Sequence, residues 1–185
     1  MNLSKKILIL AGDAVESLEI YYPYYRFLEE GYEATIAAAS KKQIHTVVHD
    51  FTDWETYTEK PGYLIEAHAA FEDINPGDYD GLFIPGGRSP EHVRMNEHIP
   101  KIVSHFFEAD KPVASVCHGS MILAVVPEHI KNRKMTAYIA CKPEVEAAGA
   151  IYVDEPHYEE KNLVSGHAWP DLPAVLKRFI KQLNN

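Results

Sequence analysis

Short apolar runs alternate along this chain with segments of helical periodicity. Four runs, at 7–11, 34–39, 81–84 and 113–116, have the continuous apolar character of strands that a parallel sheet buries on both faces. Segment 172–183 instead repeats apolar residues at the spacing of a helix with one buried face. The alternation predicts an α/β fold, a doubly wound, mostly parallel sheet flanked by helices, with a ligand site beyond the carboxyl ends of its strands.

The first helix is expected directly after the first strand. Asp13 is a candidate N-cap, with Glu16 completing a capping box, and Gly31 is a candidate helix stop. Pro23 lies inside this helix and would kink or restart it, because proline lacks the N–H that a helix needs. Two further helical segments are predicted, 97–109 and 118–125.

The segment near 44–68 breaks this alternation. Its β-forming and turn residues predict a β-hairpin insert, or a structured loop, packed on the sheet edge. Exposed aromatic residues such as Trp54 and Tyr57 would line a subunit interface or overhang the site, and a local aromatic cluster on a surface loop is the alternative. No repeat or low-complexity linker divides the chain, so a single domain over 1–185 is expected.

Composition and charge exclude several classes of protein. The formal net charge of −9 does not provide the basic surface that nucleic-acid binding requires. No apolar stretch approaches the roughly 18 residues of a membrane span, and the apolar run near the N-terminus is too short for a signal peptide. We therefore expect a cytoplasmic protein that binds neither nucleic acid nor membrane.

Cysteine and histidine spacing argues against a metal site. Cys117 and Cys141 are the two cysteines, and they match neither a disulfide framework nor a zinc-finger spacing. The ten histidines form no metal-binding motif. We expect neither a metal nor a cofactor.

One apolar run ends abruptly at Cys117, followed by His118 and Gly119. This pattern is typical of a nucleophile elbow, in which a strand delivers the nucleophile to a strained turn and small residues such as Ser115 and Gly119 let the backbone fold back. The helix that follows would direct its positive end at the sulfur and lower the pKa of the thiol. The alternative is an inert core cysteine at the end of a buried strand.

Other polar groups are predicted to converge on this cysteine. Glu19 lies in the first turns of the first helix, where burial would raise its pKa and let it move a proton, whereas Glu16 suits a capping role. Gly86 and Gly87 follow the third strand, and their N–H groups would form an oxyanion hole with that of His118. His118 would act as a base if its ring turns toward a carboxylate.

Four motifs follow one another along the chain: Glu16-Ser17-Leu18-Glu19, Pro85-Gly86-Gly87-Arg88-Ser89-Pro90-Glu91, Lys111-Pro112-Val113-Ala114 and Cys117-His118-Gly119. In this order they resemble the ThiJ/PfpI superfamily, and the resemblance extends over essentially the whole chain. The fold of that superfamily is flavodoxin-like and similar to the glutaminase domain of class I glutamine amidotransferases. The Cys-His pair with Arg-x-Pro-Glu resembles the PfpI-type branch.

The resemblance implies roles for individual residues. Cys117 matches the family's nucleophile, Glu19 the acidic residue that hydrogen-bonds it, and His118 the adjacent histidine. Glu91 matches a glutamate that reaches this histidine from a neighbouring subunit, which implies a homodimer or a higher homo-oligomer. Tyr138 matches a tyrosine near the pocket.

The chain departs from the family near its last strand. Many members carry Ser-Arg-x-Pro there, whereas this sequence reads Ser-Gly-His-Ala-Trp-Pro over 165–170. His167 would replace the polar contact of the missing arginine, and Trp169 would narrow the pocket. Substrate specificity is therefore the property that this departure affects.

The leading functional hypothesis is a cysteine-dependent, cofactor-independent enzyme that converts small reactive carbonyls such as methylglyoxal or glyoxal into hydroxy acids. A glyoxalase and a deglycase would share the same first intermediate, a hemithioacetal on Cys117. The first alternative is a PfpI-type cysteine peptidase or amidase, which requires a more open cleft. The second is a redox-sensing or chaperone-like protein in which Cys117 is oxidised and Glu19 holds the product.

Overall fold

The computed structural model describes residues 4–185, in which short strands and helices alternate. The strands are β1 Lys6–Leu10, β2 Val15–Glu16, β3 Glu33–Ala38, β4 Gln43–Asp50, β5 Thr58–Glu66, β6 Ala69–Ala70, β7 Gly81–Ile84, β8 Val113–Val116, β9 Lys134–Met135, β10 Ile151–Tyr152, β11 His157–Glu160 and β12 Leu163–Gly166. The helices are α1 Ser17–Glu29, α2 Ser89–Val93, α3 Ile99–Glu108, α4 Ser120–Leu123, α5 Pro127–Ile130, α6 Lys142–Ala147 and α7 Leu172–Leu183. Within the described range, no helix is both long and apolar enough to cross a membrane.

Seven strands form the central sheet, in the order β11-β12-β8-β7-β1-β3-β6. Neighbouring strands are parallel, except that β11 runs antiparallel to β12. The chain passes from β1 to β3 on one side and later returns to β7 on the other, so the strand order reverses between β1 and β7. Such a reversal opens a crevice at the carboxyl ends of the strands. The predicted fold class is confirmed.

The side chains of β1 show why the sheet is covered on both faces. Leu8 and Leu10 belong to one hydrophobic core, and Ile7 and Ile9 belong to the other. None of the four is more than 1% exposed. Because successive side chains of a strand point to opposite faces, an apolar strand of this kind needs helices on both sides. Residues of α3 line the first core, and residues of α1 and α7 line the second.

The start of α1 differs from the sequence prediction. Its N-cap is Glu16, whose Oε2 accepts the backbone N–H of Glu19 at 2.9 Å. Asp13 instead accepts the backbone N–H of His45 at 2.9 Å, at the base of the hairpin insert. The capping role predicted for Asp13 is therefore wrong, because the short strand β2 separates that residue from the helix.

The rest of α1 follows the sequence pattern more closely. The helix continues through the buried Pro23 without the restart that was one of the two expectations for this position. Gly31 follows the helix at φ +79°, and its N–H donates to the carbonyl of Leu28 at 2.9 Å. A glycine in this left-handed conformation ends the helix as predicted.

The insert is an antiparallel hairpin of β4 and β5, as predicted. Ile44 and Ile65 of the hairpin belong to the same hydrophobic core as Ile36 of β3, but the hairpin adds no strand to the central sheet. Instead β4 pairs with β2, so that β2, β4 and β5 form a separate three-stranded sheet. Because β2 immediately precedes α1, this pairing holds the hairpin near the carboxyl ends of the central strands.

Phe179 on α7 tests the assignment of the second core. Its ring is fully buried and lies 5.7 Å from that of Phe27 on α1, measured between centroids. We expect Phe179→Ala to lower the free energy of unfolding by about 3–5 kcal/mol, because it leaves a cavity. Urea denaturation followed by circular dichroism measures this loss. The control Lys177→Ala, on the exposed face of the same helix, should change it by less than about 0.5 kcal/mol, and equal losses would contradict the assignment.

Candidate active site

Cys117 occupies a strained turn directly after β8. Its φ is +56°, a left-handed conformation that costs a non-glycine residue roughly 1–2 kcal/mol. The backbone passes so close to β7 that a Cβ atom at Gly119 would lie 2.6 Å from the carbonyl oxygen of Ile84. The geometry is that of the predicted nucleophile elbow.

The helix after the elbow is shorter than the sequence pattern suggested. A 3₁₀ turn over Cys117–Gly119 leads into the four-residue helix α4. So short a helix offers little dipole to stabilise a thiolate. Burial, followed by the charge of Glu19, raises the pKa of the Cys117 thiol well above its usual value, although the backbone N–H groups of Gly87 and His118 oppose this rise. The prediction of a lowered thiol pKa is therefore wrong for this closed site.

Glu19 is fully buried in the first turn of α1. Its Oε2 accepts the backbone N–H of Gly86 at 2.7 Å, while its Oε1 has no hydrogen-bond partner among the residues that the structure describes. Burial, followed by the charge of Glu16, raises the pKa of Glu19 to about 8, even though the hydrogen bond from the backbone N–H of Gly86 opposes this rise. At neutral pH Glu19 is therefore largely protonated beside the sulfur.

Gly86 brings the acid and the nucleophile together. A Cβ atom at this position would lie 2.6 Å from the Cβ of Cys117 and 2.7 Å from Oε2 of Glu19, so only glycine fits. Its N–H donates to Glu19 and is therefore not free for the oxyanion hole that the sequence predicts for it. The N–H groups that face the sulfur are those of Gly87 and His118.

His118 is positioned to exchange a proton with the nucleophile. Its Nδ1 lies 3.3 Å from the Sγ of Cys117. Burial, followed by the charge of His49, lowers the pKa of His118 to about 4, so the ring is neutral at pH 7 and can accept a proton. Among residues 4–185, no carboxylate forms a hydrogen bond or ion pair with this ring. Glu91 is exposed on α2 and does not reach it within the same chain.

Aromatic side chains pack around the ring of His118, which lies beside the nucleophile. Tyr57 of the insert stands edge-on to the His118 ring, with centroids 6.0 Å apart, and Tyr138 stacks on that ring at 5.2 Å. Phe51 packs against Tyr138 at 6.3 Å and against Trp169 at 6.2 Å. We call Phe51, Tyr57, Tyr138 and Trp169 the aromatic cap. Its packing accounts for the low exposure of the site.

The aromatic cap shows where Tyr57 of the insert lies. Tyr57 overhangs the site, whereas Trp54 is 69% exposed. Burial, followed by the charge of Cys117, raises the pKa of Tyr57 to about 12, so its hydroxyl remains protonated near the sulfur. Sequence reasoning missed Phe51, because nothing in this aromatic, turn-rich stretch distinguishes it from Trp54.

His167 and Trp169 occupy the place of the missing arginine. Nε2 of His167 accepts the backbone N–H of Ile139 at 3.3 Å, and its ring meets the edge of Tyr138 at 5.9 Å. His167 therefore supports a member of the aromatic cap. Trp169 is itself part of the cap. Within residues 4–185, no group of three or more His, Cys, Asp or Glu residues is arranged to hold a metal ion.

Sequence comparisons relate the chain to known proteins. The profile of the DJ-1/PfpI family matches residues 5–182. Deglycase PfpI of Pyrococcus furiosus is 37% identical over 96% of this chain and 99% of its own length. Protein DJ-1 homolog D of Arabidopsis thaliana is 38% identical over 97% of this chain, which spans only 48% of that protein.

Solved structures share the fold. A two-domain protein of Anabaena variabilis, with DJ-1/ThiJ/PfpI-like and ferritin-like domains, matches 98% of this chain over 48% of its own length, with a TM-score of 0.85 and 25% identity. Putative protease I of Bacteroides thetaiotaomicron matches 97% of this chain and 99% of its own length, with a TM-score of 0.81 and 18% identity, which shows the fold alone. The family profile and the sequence identities, together with the elbow and its acidic partner, establish that the chain belongs to the DJ-1/PfpI family.

Proposed function

We propose that this protein is a cysteine-dependent, cofactor-independent enzyme that converts small dicarbonyls such as methylglyoxal into hydroxy acids. The observation that carries the proposal is the grouping of the Cys117 thiol, a protonated Glu19 and a neutral His118 under the aromatic cap. Cys117 is only 6% exposed, a setting that favours a small substrate. The deglycase names of relatives that match over their full length support a carbonyl substrate.

The resting site suits addition of the thiol to an aldehyde. Neutral His118 would take the thiol proton while sulfur bonds to the aldehyde carbon, and Glu19 would give its proton to the carbonyl oxygen. This forms the hemithioacetal. The N–H groups of Gly87 and His118 would stabilise negative charge that develops beside the sulfur.

Proton transfers would then convert the hemithioacetal into a thioester. The Glu19 carboxylate removes the proton from the former aldehyde carbon, and His118 returns its proton to the adjacent keto oxygen, giving an enediol. Glu19 then protonates the second carbon while the hydroxyl on the first loses its proton to His118. Water then attacks the thioester and gives a proton to the Glu19 carboxylate, while protonated His118 returns its proton to the departing sulfur, which releases the hydroxy acid and restores the thiol. No oxidant or reductant is consumed, because the former aldehyde carbon is oxidised by two electrons while the former keto carbon is reduced by two.

The other two hypotheses receive less support from this geometry. A peptidase or amidase requires an extended cleft at the nucleophile, and the aromatic cap covers that position in the isolated chain. A redox sensor requires a readily formed thiolate, whereas burial raises the pKa of Cys117.

We also infer that the active unit is at least a dimer. His118 has no carboxylate partner within residues 4–185, and Glu91 is exposed beside the loop that carries Gly86 and Gly87. Glu91 of a second copy would supply the missing acceptor. Closed symmetric assemblies of this kind are common among soluble proteins.

The reaction itself gives the first test. Purified protein supplied with methylglyoxal, without glutathione or added metal, should form a hydroxy acid that chromatography detects. Cys117→Ser should lower kcat/KM by at least about 10³-fold, because a hydroxyl is a far weaker nucleophile. Cys141→Ser should retain the activity, since Cys141 is the second buried thiol and plays no part in the steps above. A wild-type protein without turnover would refute the proposed reaction.

Glu19→Gln should separate catalysis from stability. We expect kcat to fall by about 10²–10⁴-fold, because the variant keeps the shape of the side chain but loses proton transfer. Because burial disfavours the charged form of Glu19, the wild type loses stability as the pH rises from 4.5 to about 8, a range in which the unfolded chain releases this proton before the folded chain does. In urea denaturation at several pH values, Glu19→Gln should therefore lose less stability than wild type across this range. Glu29→Gln, with a 78% exposed side chain on the same helix, is the control and should behave as wild type.

Subunit complementation tests the role of Glu91. Inactive Cys117→Ser and Glu91→Ala subunits, mixed after dissociation and reassembly, should recover part of the activity, because some sites would combine an intact cysteine with an intact glutamate. Native mass spectrometry verifies that mixed oligomers have formed. Verified mixtures without recovery, or full activity in a monomer, would leave Cys117, His118 and Glu19 as a site within one chain.

A further inference from the structure

A carboxylate on the insert ties the hairpin to the loop that builds the active site. Glu59, in β5, accepts two hydrogen bonds from Arg88: Nε donates to Oε2 and Nη2 donates to Oε1, each at 2.7 Å. Arg88 directly follows Gly87. Such a two-pronged guanidinium–carboxylate pair fixes orientation as well as distance. It therefore sets how the hairpin sits over the elbow.

The same carboxylate also binds His49 on the opposite strand. His49 and Glu59 are paired in the register of the hairpin, and Nε2 of His49 lies 2.8 Å from Oε2 of Glu59. His49 is 4% exposed. The pKa of Glu59 is lowered to about 2, chiefly by its hydrogen bonds from Arg88 and then by that from His49. Glu59 is thus ionised, and its carboxylate connects β4, β5 and the loop after β7.

This cluster leads directly to the aromatic cap. The ring of His49 packs against that of Tyr57 with centroids 4.3 Å apart, and Tyr57 in turn stands over His118. Residues 51–56, which join the two strands ahead of Tyr57, are all exposed. Apart from the packing of Phe51 and Tyr57 against the other members of the aromatic cap, the tip of the hairpin makes few contacts, so the strand ladder and the cluster beneath it help to set the position of Tyr57.

We propose that Glu59, Arg88 and His49 form a latch that holds Tyr57 over Cys117, and that this latch limits the size of the aldehyde that reaches the thiol. The substrates admitted by the closed latch are short aliphatic 2-oxoaldehydes. Those excluded are aryl or long-chain 2-oxoaldehydes, which require displacement of Tyr57. The residues of the latch are positioning residues, since none of them touches the sulfur. The part of this proposal that concerns selection among substrates rests on the proposed function. The part that concerns access to the Cys117 thiol does not.

The exposure of the latch suits a contact that opens and closes. The side chains of Arg88 and Glu59 are 49% and 30% exposed, so water and salt weaken their attraction. A fully buried pair would hold the hairpin rigidly, and an isolated surface pair would hardly hold it. The added hydrogen bond from buried His49 places this latch between those limits.

Thiol labelling tests the latch without any assumption about the reaction. The rates at which iodoacetamide and the rigid, bulky N-(1-pyrenyl)maleimide modify Cys117 are measured by mass spectrometry of its peptide. In Glu59→Ala and in Arg88→Ala, the maleimide rate relative to the iodoacetamide rate should rise about tenfold, as expected when a charge-assisted contact is lost. Glu59→Gln, which retains hydrogen-bonding atoms, should give a smaller rise.

Two controls separate the latch from general loosening of the fold. Cys141 is 4% exposed in the same protein, and its labelling should stay unchanged. Lys60→Ala removes the 2.7 Å contact of Lys60 with Asp50 on the same hairpin and should leave the ratio at Cys117 unchanged. An unchanged ratio in Glu59→Ala, Arg88→Ala and Glu59→Gln, or an equal rise at Cys141, would overturn the proposal.

Kinetics extend the test to substrate choice. If the wild type converts methylglyoxal, Glu59→Ala should raise kcat/KM for phenylglyoxal relative to that for methylglyoxal, whereas Lys60→Ala should not alter this ratio. An unaltered ratio in Glu59→Ala would refute the selective role. If the wild type converts neither compound, the proposed function fails, and the labelling ratios still decide whether the latch controls access to Cys117.

Discussion

The close approach of three strand ends at Gly86 is the constraint on which the active site depends. β1 leads to Glu19, β7 leads to Gly86, and β8 leads to Cys117. A side chain at position 86 would collide with Cys117 and Glu19. Because glycine has none, its backbone N–H comes close enough to donate directly to the carboxyl of Glu19. The reversal of strand order between β1 and β7 provides the crevice. Because Gly86 has no Cβ atom, the carboxyl of Glu19 can lie beside the sulfur of Cys117 at the bottom of that crevice.

Burial at this point decides where the protons reside. It raises the pKa of Cys117 and of Glu19 and lowers that of His118, so that each group favours its neutral form at pH 7. In the proposed reaction, charge develops only while the sulfur bonds to carbon, next to groups already placed to transfer protons. The short turn after the elbow contributes little dipole, and hydrogen bonds from nearby backbone N–H groups take its place.

The hairpin and the central sheet contribute different things to the site. The sheet holds the nucleophile and the acid on rigid strand ends, with covered faces on both sides. The hairpin contributes Phe51 and Tyr57 to the aromatic cap and is joined to the rest of the fold through β2 and through the contact of Glu59 with Arg88. In the proposed function, access to the Cys117 thiol depends on the hairpin, whereas the reacting groups lie on the more tightly packed strand ends. Substrate selection can therefore change without disturbing the elbow.

Sequence alone determined four strands of the central sheet (β1, β3, β7 and β8), the hairpin, the elbow at Cys117 and the family, because each depends on a local property: an apolar run, a turn-forming stretch or a short motif. Tertiary structure decided the rest. The local pattern after Cys117 predicted a low thiol pKa, but desolvation by packed neighbours, which no local pattern records, raises it. The cluster of His49, Glu59 and Arg88 exists only because the hairpin register and the loop after β7 bring distant residues together. Such contacts depend on how separate elements pack, and therefore only the folded chain reveals them.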